Sequence, residues 1–280
     1  MSIQAHLEGL VSAALDEDIG QRDITTEATV PEDARCKARL LAKQDGVVSG
    51  IEPYRLAFEL LDAGVEQWES LQNGDPFKTG GEIATFEAHT RAVLTAERTA
   101  MNFIQHLSGV ATLTAEYVAV LAGLECKVCN TRKTTPMLRY LEKAAVVHGG
   151  GQDHRFNLHN GVLIKENHIT VAGGIRNAIE KTSRGTHHLM RIAVETENLD
   201  EFDEALDAGA DVIMLDNMSL EDMREAVGHA KGRRVVIEGS GNVDLKLLRP
   251  MAETGVDYIS VGRLTHSAPA VDLSMLIDNV

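Results

Sequence analysis

Apolar residues at Ile3, Leu7, Leu10, Val11, Ala14 and Leu15 recur at helical spacing, and the acidic run Asp16-Glu17-Asp18 closes a helix predicted over residues 3–16. A strand over 36–41, a turn at Asp45-Gly46 and a helix over 53–61 follow. Asn73-Gly74-Asp75 and Gly80-Gly81 then bracket short strands such as 82–87, which predicts a small antiparallel sheet with helices on it. The hairpin spacing is also that of a biotinyl or lipoyl carrier domain, but no lysine sits at the tip of a tight turn to carry the group. From Arg91 the pattern is helical to about Leu107, breaks near Ser108-Gly109, and resumes to about Leu121.

A different rhythm begins there. Strand-like runs fall at residues 126–131, 162–165, 190–195, 212–216, 235–238 and 258–261, with helix-length amphipathic segments such as 199–208 and 220–230 between most of them. Alternating β and α elements predict a parallel sheet, open or closed into a barrel. The runs finish in Thr131-Arg132-Lys133, Lys165-Glu166, Glu195, Asp216, Glu238-Gly239-Ser240-Gly241 and Ser260-Val261-Gly262. In β/α barrels the C-terminal strand ends converge on one face and carry the active site, so charged and glycine-rich ends mark a candidate mouth.

Composition narrows the class. The chain has 280 residues, 44% hydrophobic and 25% charged, the balance of a globular protein with one large domain or two ordinary ones. No apolar run is long enough to suggest a membrane span, and the N-terminus lacks the basic start of a signal peptide, so the default location is cytoplasmic. Three cysteines fit a reducing compartment better than a disulfide scaffold. Cys126 and Cys129 form a lone CxxC, whose spacing in a strand would put the two thiols on opposite faces. The net charge of −15 argues against nucleic acid or an anionic membrane as the main partner.

Charge is unevenly spread. The forty residues from Cys129 to His168 hold six cations against three carboxylates, +3 in a chain of −15, so the other 240 residues carry −18. Four of the eleven histidines (His148, His154, His159, His168) fall here too, interleaved with Gly149-Gly150-Gly151. Such an island suits a small polyanion. Arg132, Lys133, Arg155 and Lys165 are the candidate anion-binding cations, the alternative being surface charges paired with acidic helices. Arg139 and Lys143, four apart on a helix, are expected to be solvated. Glu195 and Asp216 end adjacent strands, where two carboxylates facing an anion pocket call for a cation; Mg²⁺ takes one or two carboxylates plus phosphate oxygens. The alternative is a pair of acids capping neighbouring helices. The turns at Gly239-Ser240-Gly241-Asn242 and Val261-Gly262 precede helical sequence and sit where barrels bind phosphate. The pocket would thus hold a phosphorylated sugar with Mg²⁺ at one side and a carboxylate-rich molecule at the other, which suits transfer at an anomeric carbon. Lys165 also admits a Schiff base.

The run Asn130-Thr131-Arg132-Lys133-Thr134-Thr135-Pro136, then Gly149-Gly150-Gly151, His154-Arg155 and Leu163-Ile164-Lys165-Glu166-Asn167-His168, resembles quinolinate phosphoribosyltransferase. Supporting matches are Glu97-Arg98-Thr99-Ala100-Met101-Asn102-Phe103 with Ser108-Gly109, Met214-Leu215-Asp216-Asn217, and Gly262 before Leu264-Thr265-His266-Ser267. The resemblance covers nearly the whole chain, from Glu17-Asp18-Ile19-Gly20 to an expected C-terminal helix. It implies an N-terminal α/β sandwich domain over 1–107, onto which the C-terminal helix packs back, and an incomplete β/α barrel over 108–280. It also implies a homodimer with shared active sites. The implied reaction joins quinolinate to phosphoribosyl diphosphate with Mg²⁺, giving nicotinate mononucleotide, diphosphate and CO₂, a step of NAD biosynthesis.

By the same resemblance Arg132, His154, Arg155 and Lys165 bind the two carboxylates of quinolinate, Lys133 touches the phosphoribosyl diphosphate, and Thr131, Asn242 and Ser260 are further substrate-binding residues. Glu195 and Asp216 serve the metal and ribose hydroxyls, and Ser240, Gly241 and Gly262 the 5-phosphate. Arg98 reaches in from the partner, and Lys133, Lys165, Glu195 and Asp216 are the catalytic set. The chain departs from the family pattern at Asn130 (usually aspartate), at Met137 (commonly glycine) and at Arg22 (glycine). It departs also at Gln152-Asp153, where a His-Asn or similar pair is common, and at Asn157, His159 and Asn160; Arg263 adds a cation beside the phosphate loop. Asn157 and His159 are expected near the carboxylate site, where they bear on acceptor choice. Rival readings are a phosphoribosyltransferase for nicotinate or another aromatic acid, a Schiff-base lyase, and a non-catalytic phosphoribosyl-ligand-binding protein. The last would have lost Lys133, Lys165, Glu195 or Asp216, and all four are present.

Overall fold

Along residues 35–42 every second side chain (Cys36, Ala38, Leu40, Ala42) is buried, the period-two signature of a strand with one face on a core. The computed structural model describes residues 3–280. Its elements run α1 (Ile3–Ile19), α2 (Ile24–Thr29), β1 (Arg35–Ala42), β2 (Gly46–Val47), α3 (Ile51–Glu59), β3 (Glu66–Ser70), β4 (Pro76–Phe77), β5 (Glu82–His89) and α4 (Thr90–Val120). Then come β6 (Lys127–Cys129), α5 (Arg139–His148), β7 (Val162–Ile164), α6 (Glu166–Ala172), α7 (Ile175–Gly185), β8 (Ile192–Thr196), α8 (Leu199–Asp207) and β9 (Val212–Asp216). The chain closes with α9 (Leu220–His229), β10 (Val236–Ser240), α10 (Leu245–Ala252), β11 (Tyr258–Ser260), α11 (Arg263–His266) and β12 (Leu273–Asn279).

The contacts divide the chain into two units. One comprises the chain up to Ala115 with Thr135–Gly150 and Ala268–Val280; the other comprises Glu116–Thr134 and Gly151–Ser267. Where the sequence suggests one boundary at 107/108, α4 runs unbroken past it. Ser108 is not a break: its hydroxyl donates to the Ser49 carbonyl and accepts the Ser49 N–H. Gly109 serves close approach, since a Cβ there would lie 2.1 Å from the Pro269 carbonyl oxygen.

The first unit is built on an antiparallel sheet of order β12-β1-β5-β3. Helix α3 turns Tyr54, Ala57 and Phe58 inward, and the rings of Tyr54, Phe58, Phe86 and Trp68 pack edge-on, tilted or stacked at 4.9–6.1 Å. Two expectations fail here. The C-terminal residues form strand β12, not a helix: Cys36 to Ala42 pair in register with Asn279 to Leu273. On α5, Lys143 is only 2% exposed and Glu142 fully buried, so the charge pattern does not mark a solvated face. Glu142 accepts the His106 Nε2–H at 2.8 Å and the Thr135 N–H at 3.0 Å, which is why a carboxylate is tolerated there.

The second unit is an α/β layer structure. Its sheet is wholly parallel, of order β6-β11-β10-β9-β8-β7, and β6 and β7 at its two edges do not pair with each other. That makes it an incomplete barrel. All six strands lie where the apolar runs predict them, with ends moved by at most two residues. Helices α7, α8 and α10 cover the strands from outside. Among the described residues no helix is long and apolar enough to cross a membrane.

Candidate active site

Parallel strands bring their C-terminal ends to one side, and a cavity of about 350 Å³ lies there. It is lined by Thr131, Arg132, Lys133, His154, Arg155, Lys165, Glu195, Asp216, Ser240 and Ser260, all expected from the sequence. Leu163, Met214 and Glu238 line it unannounced. Gly241, Asn242 and Gly262 are not among the lining residues. Arg98 belongs to the other unit, where it shares a separate cleft with Asp18, Arg22, Asp23 and Thr95.

The β6 end is held by a hydrogen-bonded frame. Thr131 accepts the Lys133 N–H at 3.0 Å, and the Lys133 carbonyl accepts the Thr265 hydroxyl at 2.7 Å, tying this turn to the one after β11. Gly262 gives the Lys133 side chain its path, since a Cβ would sit 3.0 Å from Lys133 Cδ. The glycine-rich connection returns beside β6, with Asn130 N–H on the Gln152 carbonyl and Gln152 N–H on that of Val128. Arg155 is fixed by Nη1 donating to the Gly161 carbonyl at 2.9 Å. Burial, and then the charge of Arg132, pull the Arg155 guanidinium below its ordinary value. The Arg132 Nε is buried without an acceptor. Two guanidiniums that line one cavity and repel each other are stabilised by an anion between them.

Opposite them, the Lys165 ammonium is ion-paired with the Glu195 carboxylate. A paired ammonium is a fixed cation, not the free amine that Schiff-base chemistry needs. Asp216 accepts from the Asn217 side-chain amide at 3.0 Å. Neither acid caps a helix: Asn198 caps α8 by accepting the Glu201 N–H, and Ser219 caps α9 by accepting the Asp222 N–H. The capping alternative for Glu195 and Asp216 is thereby removed. The two carboxylates on neighbouring strands suit a divalent cation that completes its shell with substrate oxygens and water. Among the described residues no group of three or more His, Cys, Asp or Glu forms an all-protein metal cage.

At the far end, Gly241 has φ +106° and Asn242 φ +34°, so the turn after β10 needs left-handed backbone. A Cβ on Gly241 would lie 2.2 Å from the Asn217 side-chain oxygen. The turn does not lead straight into a helix with free N–H groups: the Asp244 side chain already accepts from Lys246 and Leu247 at the start of α10. Arg263 acts on the Tyr117 hydroxyl and the Asp244 carboxylate, which answers what that extra cation does. Asn157 accepts the His159 N–H at 3.1 Å in a local turn, and neither is among the residues that line the cavity.

Comparison with known proteins agrees across the chain. The family model for the quinolinate phosphoribosyl transferase N-terminal domain matches residues 23–108, and that for the C-terminal domain residues 110–276. The chain is 40% identical to the probable nicotinate-nucleotide pyrophosphorylase [carboxylating] of Bacillus subtilis over 96% of its own length and 92% of the relative's. It is 37% identical to quinolinate phosphoribosyltransferase [decarboxylating] 1b of Nicotiana tabacum, over 97% of this chain and 82% of the relative. The solved structure of NadC from Streptococcus pyogenes superposes with a TM-score of 0.95 at 39% identity, covering 100% of this chain and 99% of that one.

Proposed function

The chain belongs to the quinolinate phosphoribosyltransferase family, and we propose that it transfers the phosphoribosyl group of phosphoribosyl diphosphate to quinolinate with loss of CO₂, an enzyme of NAD biosynthesis. The observation that carries the reading is a single cavity lined by two mutually repelling guanidiniums and by strand-end carboxylates. A dicarboxylate matches the first and a sugar diphosphate with its counter-ion the second.

In this reading Arg132 and Arg155 clamp the two quinolinate carboxylates and turn the ring nitrogen toward the anomeric carbon. As the bond from that carbon to the diphosphate oxygen breaks, positive charge grows on the ribose, and Glu195 and Asp216 stabilise it. Lys133 meets the negative charge accumulating on the diphosphate, and Lys165 joins the arginines on the acceptor carboxylates. Glu195 and Asp216 would hold Mg²⁺, which when bound would supply charge neutralisation for the leaving group. Ser240 and Ser260, with the turns of Gly241, Asn242 and Gly262, take the 5-phosphate. The bond from ring C2 to its carboxylate then breaks, CO₂ leaves, and C2 takes a proton, giving nicotinate mononucleotide.

Arg98, in its own cleft, is assigned to the site of a second copy in a cytoplasmic homodimer. Mixed Arg98→Ala and Lys165→Ala chains should regain activity in hybrid dimers; hybrids that form but stay inactive would exclude shared sites. The reaction itself is tested by offering quinolinate or nicotinate with phosphoribosyl diphosphate and Mg²⁺ and following nicotinate mononucleotide and CO₂. Product with CO₂ from quinolinate alone is expected; product from nicotinate alone, or from neither, would overturn the reading.

A further inference from the structure

His154 is implied by family resemblance to bind an acceptor carboxylate, but both of its ring nitrogens face groups of the protein. Nδ1 accepts the Arg155 backbone N–H at 2.8 Å. A nitrogen that accepts carries no proton, so the ring proton sits on Nε2. Nε2 faces Glu238 Oε2 at 3.6 Å, just beyond hydrogen-bond length. Glu238 is 5% exposed, and its other oxygen, Oε1, is buried without a partner. Its place inside β10, on the same face as Ser240, fixes it to the rigid sheet, whereas His154 and Arg155 stand on an irregular connection.

We propose that Glu238 and His154 form a strut from the sheet to the Arg155 backbone, in which His154 is a neutral Nε2–H ring that positions Arg155 and is not a cationic ligand of the substrate. The chain of contacts is Glu238 carboxylate, His154 ring, Arg155 N–H, and its far end is the guanidinium that Gly161 also holds. A buried carboxylate next to an anion-binding pocket opposes the ligand's charge, so its presence needs a reason. Orienting a histidine on an irregular connection supplies one, as carboxylates do for metal-bound imidazoles. Glu238 and His154 are therefore positioning residues; Arg155 touches the substrate. The assignment deepens the proposed reaction and rests on it.

The test has two arms. In ¹⁵N-histidine NMR, His154, identified by its loss in His154→Gln, should be a neutral Nε2–H tautomer both free and saturated with quinolinate. An imidazolium in the quinolinate complex would overturn the strut. In kinetics, Glu238→Leu should raise the quinolinate KM several-fold, the size of one lost orienting polar contact, with the phosphoribosyl diphosphate KM within about twofold. Glu238→Gln, whose amide oxygen faces Nε2–H as the carboxylate oxygen does, should restore quinolinate KM to near wild type. A variant set in which Gln is as poor as Leu, or in which the phosphoribosyl diphosphate or Mg²⁺ dependence shifts instead, would make Glu238 a ligand of the other substrate and end the proposal. Should wild type turn over no quinolinate, the proposed reaction fails, while the tautomer in the free protein still decides the strut.

Discussion

Asn130, fully buried at the end of β6, donates its side-chain amide to Asp153 at 2.8 Å and accepts the His154 N–H at 3.0 Å. The family pattern has an acid at the first position and commonly an amide at the second. Here acid and amide have changed places, which keeps one donor facing one acceptor and moves the charge from a buried site to an exposed one. Two departures that look independent in the sequence thus compensate each other.

The swap predicts its own double-mutant cycle. Asn130→Asp alone sets two carboxylates at hydrogen-bond distance behind the arginine turn and should cost about tenfold or more in kcat/KM for quinolinate, from roughly 1–3 kcal/mol of unmet polar contact. Adding Asp153→Asn should return most of it. Kinetics on the three variants check this, and additive losses would mean the pair is not coupled.

Arg155→Ala should weaken quinolinate binding by about 2–5 kcal/mol, the range for removing one member of a desolvated charge pair. The fold should keep its melting temperature or gain slightly, because Arg132 loses a repulsive neighbour. Unchanged KM and turnover would remove Arg155 from the site.

Legibility of the site follows strand parity. The three lining residues missed in the sequence, Leu163, Met214 and Glu238, each stand two before an expected one, Lys165, Asp216 and Ser240. Side chains two apart on a strand share a face, so carrying the period-two rule back from each strand end finds them. Glu238 was masked because β10 reads as ending there; it continues to Ser240, which puts the acid inside the strand. The β12 pairing with β1 had no such signal, being set by partners more than two hundred residues away. Lys143 was misread because charge spacing alone does not say which helix face is covered.

Gly109→Ala tests the straight reading of α4. Helix propensity alone would stabilise by about 1 kcal/mol. A methyl group 2.1 Å from the Pro269 carbonyl should outweigh that and leave the variant about 1–3 kcal/mol less stable in denaturant unfolding. A stabilised variant would mean the Pro269 segment yields freely.

Stability should fall in mild acid through His148. Burial holds this imidazole below its ordinary value of 6.5, with Glu52 opposing, while Ser49 Oγ lies 2.9 Å from Nδ1. Above pH 6.5 both folded and unfolded forms are neutral and the group is silent. As pH drops below 6.5 the unfolded chain takes up the proton first, so this part of the stability is lost until the folded pKa is passed. The melting temperature should decline from pH 7 toward 5, and less steeply in His148→Asn; identical slopes would exclude the residue.

The pairing of β1 with β12 also sets an order of events during synthesis. Residues such as Arg39 and Asp278, which meet across that pair, are 239 positions apart, so at about 5–20 residues per second roughly 10–50 s separate their emergence from the ribosome. Throughout that interval β1 presents a bare edge, with its backbone groups open to any strand that passes. The N-terminal sheet is complete only after the barrel strands have been made, and a growing chain must be shielded or kept dilute until its end arrives to close it.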